Sequence, residues 1–338
     1  MKRYENYDLS AHNTFGMKVK CALYIEYDTV EELKGLEVNK LPQPVMHIGA
    51  GSNLLFTGDF PGTVLHSGVK FLKYVDMGLD EVLVTVGSGV VFDDFVAETC
   101  SHGLWGAENL SLIPGEVGAS AVQNIGAYGV EVKDIIAGVV CLDTSDWSKT
   151  IFKTVECAYG YRDSMFKHEK GRYIVTSVLF RLSRKYSPKL DYGNIRAALE
   201  GHDLSALTPS EVRDAIIRIR REKLPDPAET GSAGSFFKNP VISRGHFERI
   251  VAENADVKVP SFDLPDGTVK VPAAWMIDRC GFRGVVNGGA QVYEKQPLVI
   301  VNASGSATPD EIIALEERII AAVKDRFGVT LSPEVEHV

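Results

Sequence analysis

The sequence has few cysteines, no long apolar run and no excess of positive charge. Its five cysteines are scattered and form no C-x-x-C pair, so we expect reduced thiols and no disulfide framework. The longest apolar stretch, residues 135–142, is far shorter than the ~20 residues that a membrane span needs. Residues 1–10 are polar and charged, unlike a secretory signal peptide. We therefore expect a cytoplasmic protein that does not enter a membrane.

The charge balance argues against a nucleic-acid partner. The chain carries 36 basic and 45 acidic side chains, a formal net charge of −9, which repels phosphate backbones. The one dense basic run, residues 218–223, is interleaved with apolar residues at helical spacing, which favours the solvated face and end of a helix. The eight histidines show no spacing suited to a metal ion, and we predict no metal site.

Length and residue pattern predict an α+β chain with at least two lobes. The 338 residues are enough for about two domains. Short β-branched runs separated by glycines predict strands at residues 44–48, 82–86, 135–142 and 173–182. The glycine-rich first lobe should therefore be built mainly from strands.

Three capping boxes predict where helices begin. Thr29, Thr208 and Thr308 each precede a glutamate by three residues, and that spacing lets the two side chains satisfy the first turn of a helix. The last helix should end at Gly328, because glycine is favoured just past a helix end. The second must end before Pro225, so residues 224–234 are expected to form a linker after a boundary near residue 222.

The glycine motif at residues 49–53 fails the usual dinucleotide test. It begins Gly-x-Gly, but Leu54 replaces the third glycine of the G-x-G-x-x-G fingerprint, and no helix is predicted after it. Successive backbone N–H groups in such a turn can still bind an anion. On its own, the motif is better explained as a tight turn between two strands.

A second glycine-rich segment, residues 113–129, has almost no side-chain bulk. Four glycines and several alanines and serines would let a large flat ligand or a diphosphate approach the backbone closely. Gln123 and Asn124 could then supply hydrogen bonds. A packing crossover between elements explains the same composition equally well.

Single residues elsewhere have ordinary explanations as well as functional ones. Arg162, among aromatics at residues 159–164, could clamp a carboxylate or simply pair with Asp163 on the surface. Ser235 follows a glycine as a turn residue would, and no Gly-x-Ser-x-Gly elbow surrounds it. Lys223 suits the negative end of a helix, and Glu334 is most simply an exposed carboxylate.

Together, six motifs in order resemble the UDP-N-acetylenolpyruvoylglucosamine reductase (MurB) family over nearly the whole chain. Tyr192-Gly193 and an insert around residues 259–271 resemble the longer, type I form of that family. The motifs are Asn13-Thr14-Phe15-Gly16 and residues 49–55, 113–129, 161–163, 234–240 and 333–335.

The resemblance implies a flavoenzyme with an FAD-binding fold of the vanillyl-alcohol-oxidase type and a C-terminal α/β substrate-binding domain. The implied domains are residues 1–70 with 330–338, then 71–221, then 222–329. FAD would be held without a covalent bond by residues of the two glycine-rich segments. By resemblance these are Ala50, Gly51, Ser52, Asn53, Pro114, Gly115, Gly118, Ala119, Gln123, Ile125 and Gly126.

The implied reaction is the NADPH-dependent reduction of UDP-N-acetylglucosamine enolpyruvate in peptidoglycan precursor synthesis, and so in cell wall biogenesis, cell shape and division. A hydride passes from NADPH to flavin N5 and then to the enolpyruvyl methylene. Arg162, helped by Glu334, would stabilise the developing charge, and Ser235 would supply the proton. Substrate contacts are implied for Tyr192, Lys223, Asn239, Arg283 and Gln296.

One position departs from the type I pattern, because Ser261-Phe262 stands where the family has a tyrosine in this loop. Losing one hydrogen bond to a charged group costs about 1.5–3 kcal/mol, which predicts weaker substrate binding without loss of chemistry. A monomer acting on a small molecule is expected. An FAD oxidase of the same fold and a non-catalytic flavin-binding module are the alternatives.

Overall fold

The computed structural model describes every residue from Met1 to Val338 and separates into two compact units. Unit 1 comprises residues 1–8, 20–51 and 60–222, and unit 2 comprises residues 9–19, 52–59 and 223–338. The three-part division expected from the sequence is not tested by this separation and stays a prediction.

Unit 1 contains eleven strands and six helices. Its strands are β1 (Lys2–Asp8), β2 (Lys20–Tyr27), β3 (Val45–Ile48), β5 (Phe60–Ser67), β6 (Leu72–Gly78), β7 (Glu81–Gly87), β8 (Gly126–Ala127), β9 (Val130–Glu131), β10 (Ile136–Asp143), β11 (Lys149–Lys153) and β12 (Tyr173–Ser183). Its helices are α1 (Val30–Lys34), α2 (Phe92–Ser101), α3 (Val117–Gln123), α4 (Met165–His168), α5 (Ile195–Ala198) and α6 (Pro209–Lys223), the last residue of which falls in unit 2.

Unit 2 contains nine strands and three helices. Its strands are β4 (Leu54–Leu55), β13 (Gly231–Ser235), β14 (Val241–Ile242), β15 (Phe262–Asp263), β16 (Val269–Lys270), β17 (Val286–Asn287), β18 (Ala290–Val292), β19 (Val299–Asn302) and β20 (Glu336–His337). Its helices are α7 (Arg244–Glu253), α8 (Ala273–Arg279) and α9 (Pro309–Phe327).

Two sheets build unit 1. The first has the order β1-β2-β5-β3, with β2, β5 and β3 parallel and β1 antiparallel at the edge. The second has the order β11-β10-β12-β7-β6 and is antiparallel throughout. Helix α2 packs on the second sheet, where the Phe95 and Phe180 rings stack with centroids 4.3 Å apart.

Unit 2 is built around the antiparallel sheet β13-β19-β18-β17 and the smaller sheet β14-β16-β15. The short strands β4 and β20 pair in parallel, which ties residues 52–59 to the last residues of the chain. Helix α9 buries Ile312, Leu315, Ile319 and Val323 along one face, as its 3.6-residue periodicity predicts.

The helices predicted from capping boxes are confirmed. Thr308 and Glu311 form both hydrogen bonds of the box, and Gly328 closes α9 in a left-handed conformation, φ +67°. Helix α6 ends at Lys223, two residues before Pro225. The four predicted strands correspond to β3, β7, β10 and β12 within a residue or so at each end.

Two segments differ from the sequence prediction. Residues 117–123 form helix α3, for which no helix was predicted, and residues 231–235 form a strand that begins inside the expected linker. Strand β13 forms because Ser232 pairs with Val301, a partner distant in sequence. All five cysteines are unpaired, and no helix has the length and hydropathy that crossing a bilayer requires.

Candidate active site

The first glycine turn leaves strand β3 directly. Strand β3 ends at Ile48, and Gly51 adopts φ +65°, a conformation that side chains rarely tolerate. The N–H groups of Ala50 and Gly51 donate no hydrogen bond within the chain, although Gly51 is buried. Two adjacent N–H groups without a protein acceptor suit an anionic ligand such as a diphosphate. Ser52, which follows, already belongs to unit 2.

The second glycine-rich segment approaches other backbone so closely that larger residues do not fit. Gly115, after Pro114, has φ +120°, which only glycine adopts without strain. The N–H of Gly118 donates to the Ser88 carbonyl at 2.9 Å, and a Cβ at Gly118 would lie 2.8 Å from the Ser88 Cβ. Ala119 would contact a Cβ placed at Gly49 at 3.2 Å, so the two glycine-rich segments lie side by side within unit 1.

Arg162 is held by the end of that segment. Its Nη2 donates to the Gly126 carbonyl at 2.6 Å and its Nη1 to the Asn124 carbonyl at 3.3 Å. Gly126 must be small, since a Cβ there would lie 3.1 Å from Nη1 of Arg162. The N–H of Ile125 donates to the Ser120 carbonyl, which closes helix α3 just before this point. The guanidinium is therefore fixed by backbone carbonyls.

Lys167, one turn beyond Arg162, is a cation that the sequence analysis did not single out. Its Nζ donates to Oε1 of Gln123 at 3.0 Å and to the Arg162 carbonyl at 3.3 Å. Helix α4 carries it, and Ser164 before that helix donates to the Val122 carbonyl at 2.6 Å. Only its position five residues after Arg162 could have indicated Lys167 as a site residue. That indication is weak, because lysine is common on protein surfaces.

The Asn124 side chain hydrogen-bonds within the chain, and the ligand contact considered from the sequence stays a prediction. It is fully buried and left-handed, φ +44°, at the end of helix α3. Its Nδ2 donates to the Gly160 carbonyl at 2.7 Å, and its Oδ1 accepts from the Lys133 N–H at 3.2 Å. Asn124 thus connects the Arg162 loop to the glycine-rich segment. Asp163, for its part, lies 2.8 Å from Nε2 of His168.

Tyr192 and Lys223 lie at exposed positions. The Tyr192 ring meets the Tyr128 ring edge to face at 6.4 Å, and a Cβ at Gly129 would lie 3.3 Å from the Tyr192 Cβ. This packing places Tyr192 beside the turn that follows the glycine-rich segment. Lys223 is the last residue of helix α6 and is exposed.

Ser235 is the last residue of strand β13 in unit 2. Phe15 supports that strand closely, because a Cβ at Gly231 would lie 2.2 Å from the Phe15 carbonyl oxygen. Ser232 donates through its N–H to the Thr14 carbonyl at 2.8 Å, so the Asn13-Thr14-Phe15-Gly16 motif extends the edge of β13. The buried Phe236 follows and anchors the strand end.

Glu334 lies on the segment beside Ser235. Its N–H donates to the Phe236 carbonyl at 2.8 Å, and Phe237 pairs with Pro333 in an antiparallel bridge. Nδ2 of Asn53 donates to the Glu334 carbonyl at 3.0 Å. The structure therefore places Asn53, Ser235 and Glu334, three predicted site residues, on segments of unit 2 that hydrogen bonds join to one another.

The remaining predicted substrate residues have distinct surroundings in unit 2. Asn239 accepts from the Ala273 N–H at 2.9 Å and so caps helix α8. Gln296 begins the turn before β19, where its carbonyl accepts from the Val299 N–H. Arg283 donates to both carboxylate oxygens of Asp278, at 2.8 and 2.9 Å, which leaves its guanidinium already engaged.

Phe262, at the position of the family tyrosine, lies on strand β15 and is 41% exposed. The Lys270 ammonium group lies 5.7 Å from its ring centroid, on the adjacent strand β16. A cation near an aromatic face is weakly attracted to it. The Phe262 ring is thus exposed to solvent on one side and has the Lys270 charge near its face.

Within unit 1 the arrangement fits an FAD-type cofactor. Its two adjacent glycine-rich segments offer the unpartnered N–H groups of Ala50 and Gly51 and few bulky side chains, and the fixed cation Arg162 lies next to the second segment. Unit 2 carries Ser235 and Glu334 on neighbouring segments, because the Glu334 N–H donates to the carbonyl of Phe236, the residue after Ser235. A hydroxyl can act as a proton donor, and a fixed guanidinium can stabilise a developing negative charge.

Comparison with known proteins gives a consistent result. Residues 226–338 match the family model described as "UDP-N-acetylenolpyruvoylglucosamine reductase, C-terminal domain", and residues 23–146 match "FAD binding domain". The UDP-N-acetylenolpyruvoylglucosamine reductase of Bacteroides fragilis strain YCH46 is 47% identical over 99% of both chains. That of Porphyromonas gingivalis strain W83 is 44% identical over 99% of this chain and 98% of its own.

A solved structure supports the fold. The chain superposes on UDP-N-acetylenolpyruvylglucosamine reductase (MurB) from Thermus caldophilus with a TM-score of 0.68, at 24% identity, covering 99% of this chain and 98% of the other. The predicted α+β fold, an FAD-binding fold of the vanillyl-alcohol-oxidase type with a C-terminal substrate-binding domain, is confirmed.

Proposed function

The chain belongs to the UDP-N-acetylenolpyruvoylglucosamine reductase (MurB) family of oxidoreductases, and we propose that it reduces UDP-N-acetylglucosamine enolpyruvate to UDP-N-acetylmuramate with NADPH. The observation that carries the proposal is near-full-length identity of 47% to a reductase of that name. The pairing of the two segments that carry Ser235 and Glu334 is consistent with it.

The cofactor in this proposal is FAD, held without a covalent bond by the two glycine-rich segments. When bound, FAD would supply the hydride chemistry that links NADPH to the enolpyruvyl methylene carbon. Backbone N–H groups of Ala50 and Gly51 bind its negative charge. Gly118 and Gly126 have no side chain, and a Cβ at either position would lie too close to neighbouring atoms of the chain. The second segment can therefore keep the close packing that the FAD site requires.

Arg162 stabilises the negative charge that develops on the substrate carboxylate during reduction. Two backbone carbonyls hold its guanidinium in place, so little reorganisation is needed as the charge appears. Glu334 assists from the segment beside Ser235. Lys167, which contacts Gln123, adds a second positive charge in this part of unit 1.

Ser235 donates a proton to the substrate carbon that bears the carboxylate, which becomes carbanionic when the neighbouring methylene carbon receives the hydride. A serine hydroxyl is a weak acid in water, so this role requires a strongly basic carbon and little solvent. Strand β13 and the buried Phe236 and Phe237 rings fix the position of the serine. Tyr192, Lys223 and Asn239 bind the diphosphate and the nicotinamide nucleotide, and Arg283 and Gln296 complete the substrate contacts.

The proposed setting is the cytoplasm, where a monomer would supply a peptidoglycan precursor for cell wall biogenesis, cell shape and division. The substrate is a small nucleotide sugar, and neither nucleic acid nor membrane takes part. The net charge of −9 supports the absence of a nucleic-acid partner.

Replacing Ser235 with alanine tests the proposal by separating the two half-reactions. In anaerobic stopped-flow experiments, Ser235→Ala should lose flavin absorbance on mixing with NADPH as fast as the parent protein. Its re-oxidation by UDP-N-acetylglucosamine enolpyruvate should slow by about 10²–10⁴-fold, the usual worth of a general acid. Equal loss of both half-reactions would contradict the proton-donor role, and rapid re-oxidation by air alone would favour an oxidase.

A further inference from the structure

A buried histidine lies between two carboxylates beside the glycine-rich segments of unit 1. His66, on strand β5, is 8% exposed. Its Nδ1 lies 3.1 Å from Oε2 of Glu26 on β2, and its Nε2 lies 2.8 Å from Oε1 of Glu116. Ionised carboxylates only accept hydrogen bonds, so both contacts form together only when both ring nitrogens carry protons. The geometry therefore suits an imidazolium between two anions.

Glu116 connects this histidine to both glycine-rich segments. It lies between Gly115 and helix α3 and is 7% exposed. A Cβ at Gly49 would lie 3.3 Å from Oε2 of Glu116, so the second carboxylate oxygen packs against the first glycine turn. One side chain thus touches the Gly49 turn, belongs to the Gly115 segment and is hydrogen-bonded to the sheet through His66.

The groups facing His66 favour its protonated form. Burial lowers the pKa of His66, but the hydrogen bonds and charges of Glu116 and Glu26 outweigh burial and raise the pKa above its usual value. The Tyr24 ring stacks on the imidazole at 6.1 Å, and burial raises its own pKa. His47, on the neighbouring strand β3, has its pKa lowered to about 3 by burial and stays neutral at physiological pH.

The outer carboxylate is fixed at the surface. Lys2 donates to Oε1 of Glu26 at 2.6 Å, and this hydrogen bond is the largest cause of the lowered pKa of Glu26. Glu26 therefore stays ionised over the range in which a histidine titrates. Above its own pKa, His66 keeps one ring N–H and can donate to only one of its two carboxylates.

We propose that the triad of Glu26, His66 and Glu116 positions the two glycine-rich segments for FAD, so that FAD affinity falls as pH rises through the titration of His66. The inference rests on the proposed function, because it takes these segments as the FAD-binding ones. Loss of the imidazolium leaves the buried Glu116 carboxylate without its positive neighbour, beside backbone that binds the FAD diphosphate. Repulsion between the two anions then weakens binding.

Titration of the full-length apoprotein with FAD tests the inference through binding and requires no turnover. Flavin fluorescence quenching should give a Kd that rises about tenfold in total between pH 6 and pH 9, which corresponds to an FAD complex that holds one proton about tenfold more tightly than the apoprotein does. His66→Gln should bind FAD with a Kd that is nearly constant over this range. Glu116→Gln should reduce the slope as well, because it removes the charge that the imidazolium neutralises.

Two controls keep these outcomes interpretable. His102→Gln removes an exposed histidine at the end of α2 and should retain the parental slope. Glu26→Gln keeps the His66–Glu116 contact but removes one charge that stabilises the imidazolium. The Kd of Glu26→Gln for FAD should therefore still rise with pH, but the midpoint of that rise should lie at lower pH than in the parent protein. This variant tests the inference even if His66→Gln fails to fold.

Three results would overturn the inference. They are a parental Kd that does not change with pH, an unchanged slope in folded His66→Gln, and an unshifted midpoint in Glu26→Gln. Failure of the parent protein to bind FAD at any pH would instead overturn the proposed function, and the inference with it. Circular dichroism of each variant establishes that the compared proteins are folded.

Discussion

Arg162 combines a left-handed backbone, φ +54°, with a guanidinium held by two carbonyl oxygens. A non-glycine residue in this conformation carries strain of about 1–3 kcal/mol, which persists where the surroundings determine the position of the side chain. Asn124 helps to fix the position of Arg162, because its side chain joins the Arg162 loop to the end of helix α3. The arrangement is what a preorganised cation for a developing negative charge requires.

Substituting lysine for Arg162 tests whether this geometry matters beyond the charge. Lysine keeps the positive charge but cannot donate in a planar fork to both carbonyls. We expect Arg162→Lys to lower kcat by about 10²–10³-fold, the usual cost of losing one preorganised donor, with flavin reduction by NADPH unchanged. Arg172→Lys, at an exposed arginine paired with Glu169, should retain the parental kcat in the same assay.

Glu316 makes stability depend on pH. It is 5% exposed on helix α9, and burial, reinforced by Glu317, raises its pKa to about 7. The folded state then holds a proton that the unfolded chain releases near pH 4.5, so stability falls as pH rises from about 4.5 to 7. Nε2 of His337 lies 3.0 Å from Oε2 of Glu316, and burial lowers the pKa of this histidine.

Replacing Glu316 with glutamine should therefore stabilise the protein in base and not in acid. At pH 8 we expect the free energy of unfolding of Glu316→Gln to be about 1–3 kcal/mol higher than that of the parent protein. At pH 4.5 the two values should differ little. Urea unfolding at both pH values measures this. A variant equally destabilised at both pH values would contradict a buried, titrating Glu316.

At the scale of the elements, helices and strands were predictable from the sequence where the residues that determine them lie within the element itself. They were not predictable where their partners are distant in the chain. Helix α9 was predictable because Thr308, Glu311 and Gly328 lie within its own sequence. Strand β13 was not, because its partners are Thr14 and Val301, far away in the chain. Helix α3 was missed since glycine, alanine and serine indicate a loop unless packing against the sheet selects a helix.

The candidate site divides in the same way. Its glycines and Arg162 were predictable from motifs, whereas contacts across long separations were not. The His66–Glu116 pair spans fifty residues, and nothing in either local sequence indicates it. Lys167 was missed because a single lysine carries little information without the Gln123 side chain that it meets in the folded chain.

The Asn13 motif should control the strand that carries Ser235. Asn13 is 4% exposed, its Nδ2 donates to the Leu9 carbonyl at 2.8 Å, and its Oδ1 accepts from the Met17 N–H at 2.8 Å. We expect Asn13→Ala to lower the free energy of unfolding by about 2–4 kcal/mol, because it leaves buried backbone groups unsatisfied. It should also lower kcat, since residues 14 and 15 pack on β13.

Asn254→Ala provides the matched control. Asn254 is also 4% exposed and donates to the Ile250 carbonyl at 2.9 Å, but it caps helix α7 and makes no contact with β13. It should lose stability while keeping the parental kcat. Equal kcat values for the two variants would show that the Asn13 segment has no special influence on Ser235.

For the whole molecule, FAD should stabilise the fold by mass action. A ligand that binds only the folded state adds about 2.7 kcal/mol at one hundred times its Kd. Differential scanning calorimetry should therefore show the midpoint of unfolding rising with FAD concentration by a few degrees over the apoprotein. A midpoint that does not respond to FAD would contradict a structural role for the cofactor.

The central claim is that this chain reduces UDP-N-acetylglucosamine enolpyruvate through bound FAD. The visible spectrum of the purified protein, recorded anaerobically, tests it most directly in three steps: before NADPH, after NADPH, and after the enolpyruvate substrate is added. The account predicts a yellow protein whose flavin absorbance is lost with NADPH and returns with substrate. Absorbance that is lost but does not return with substrate, or a colourless protein that takes up no added FAD, would contradict it.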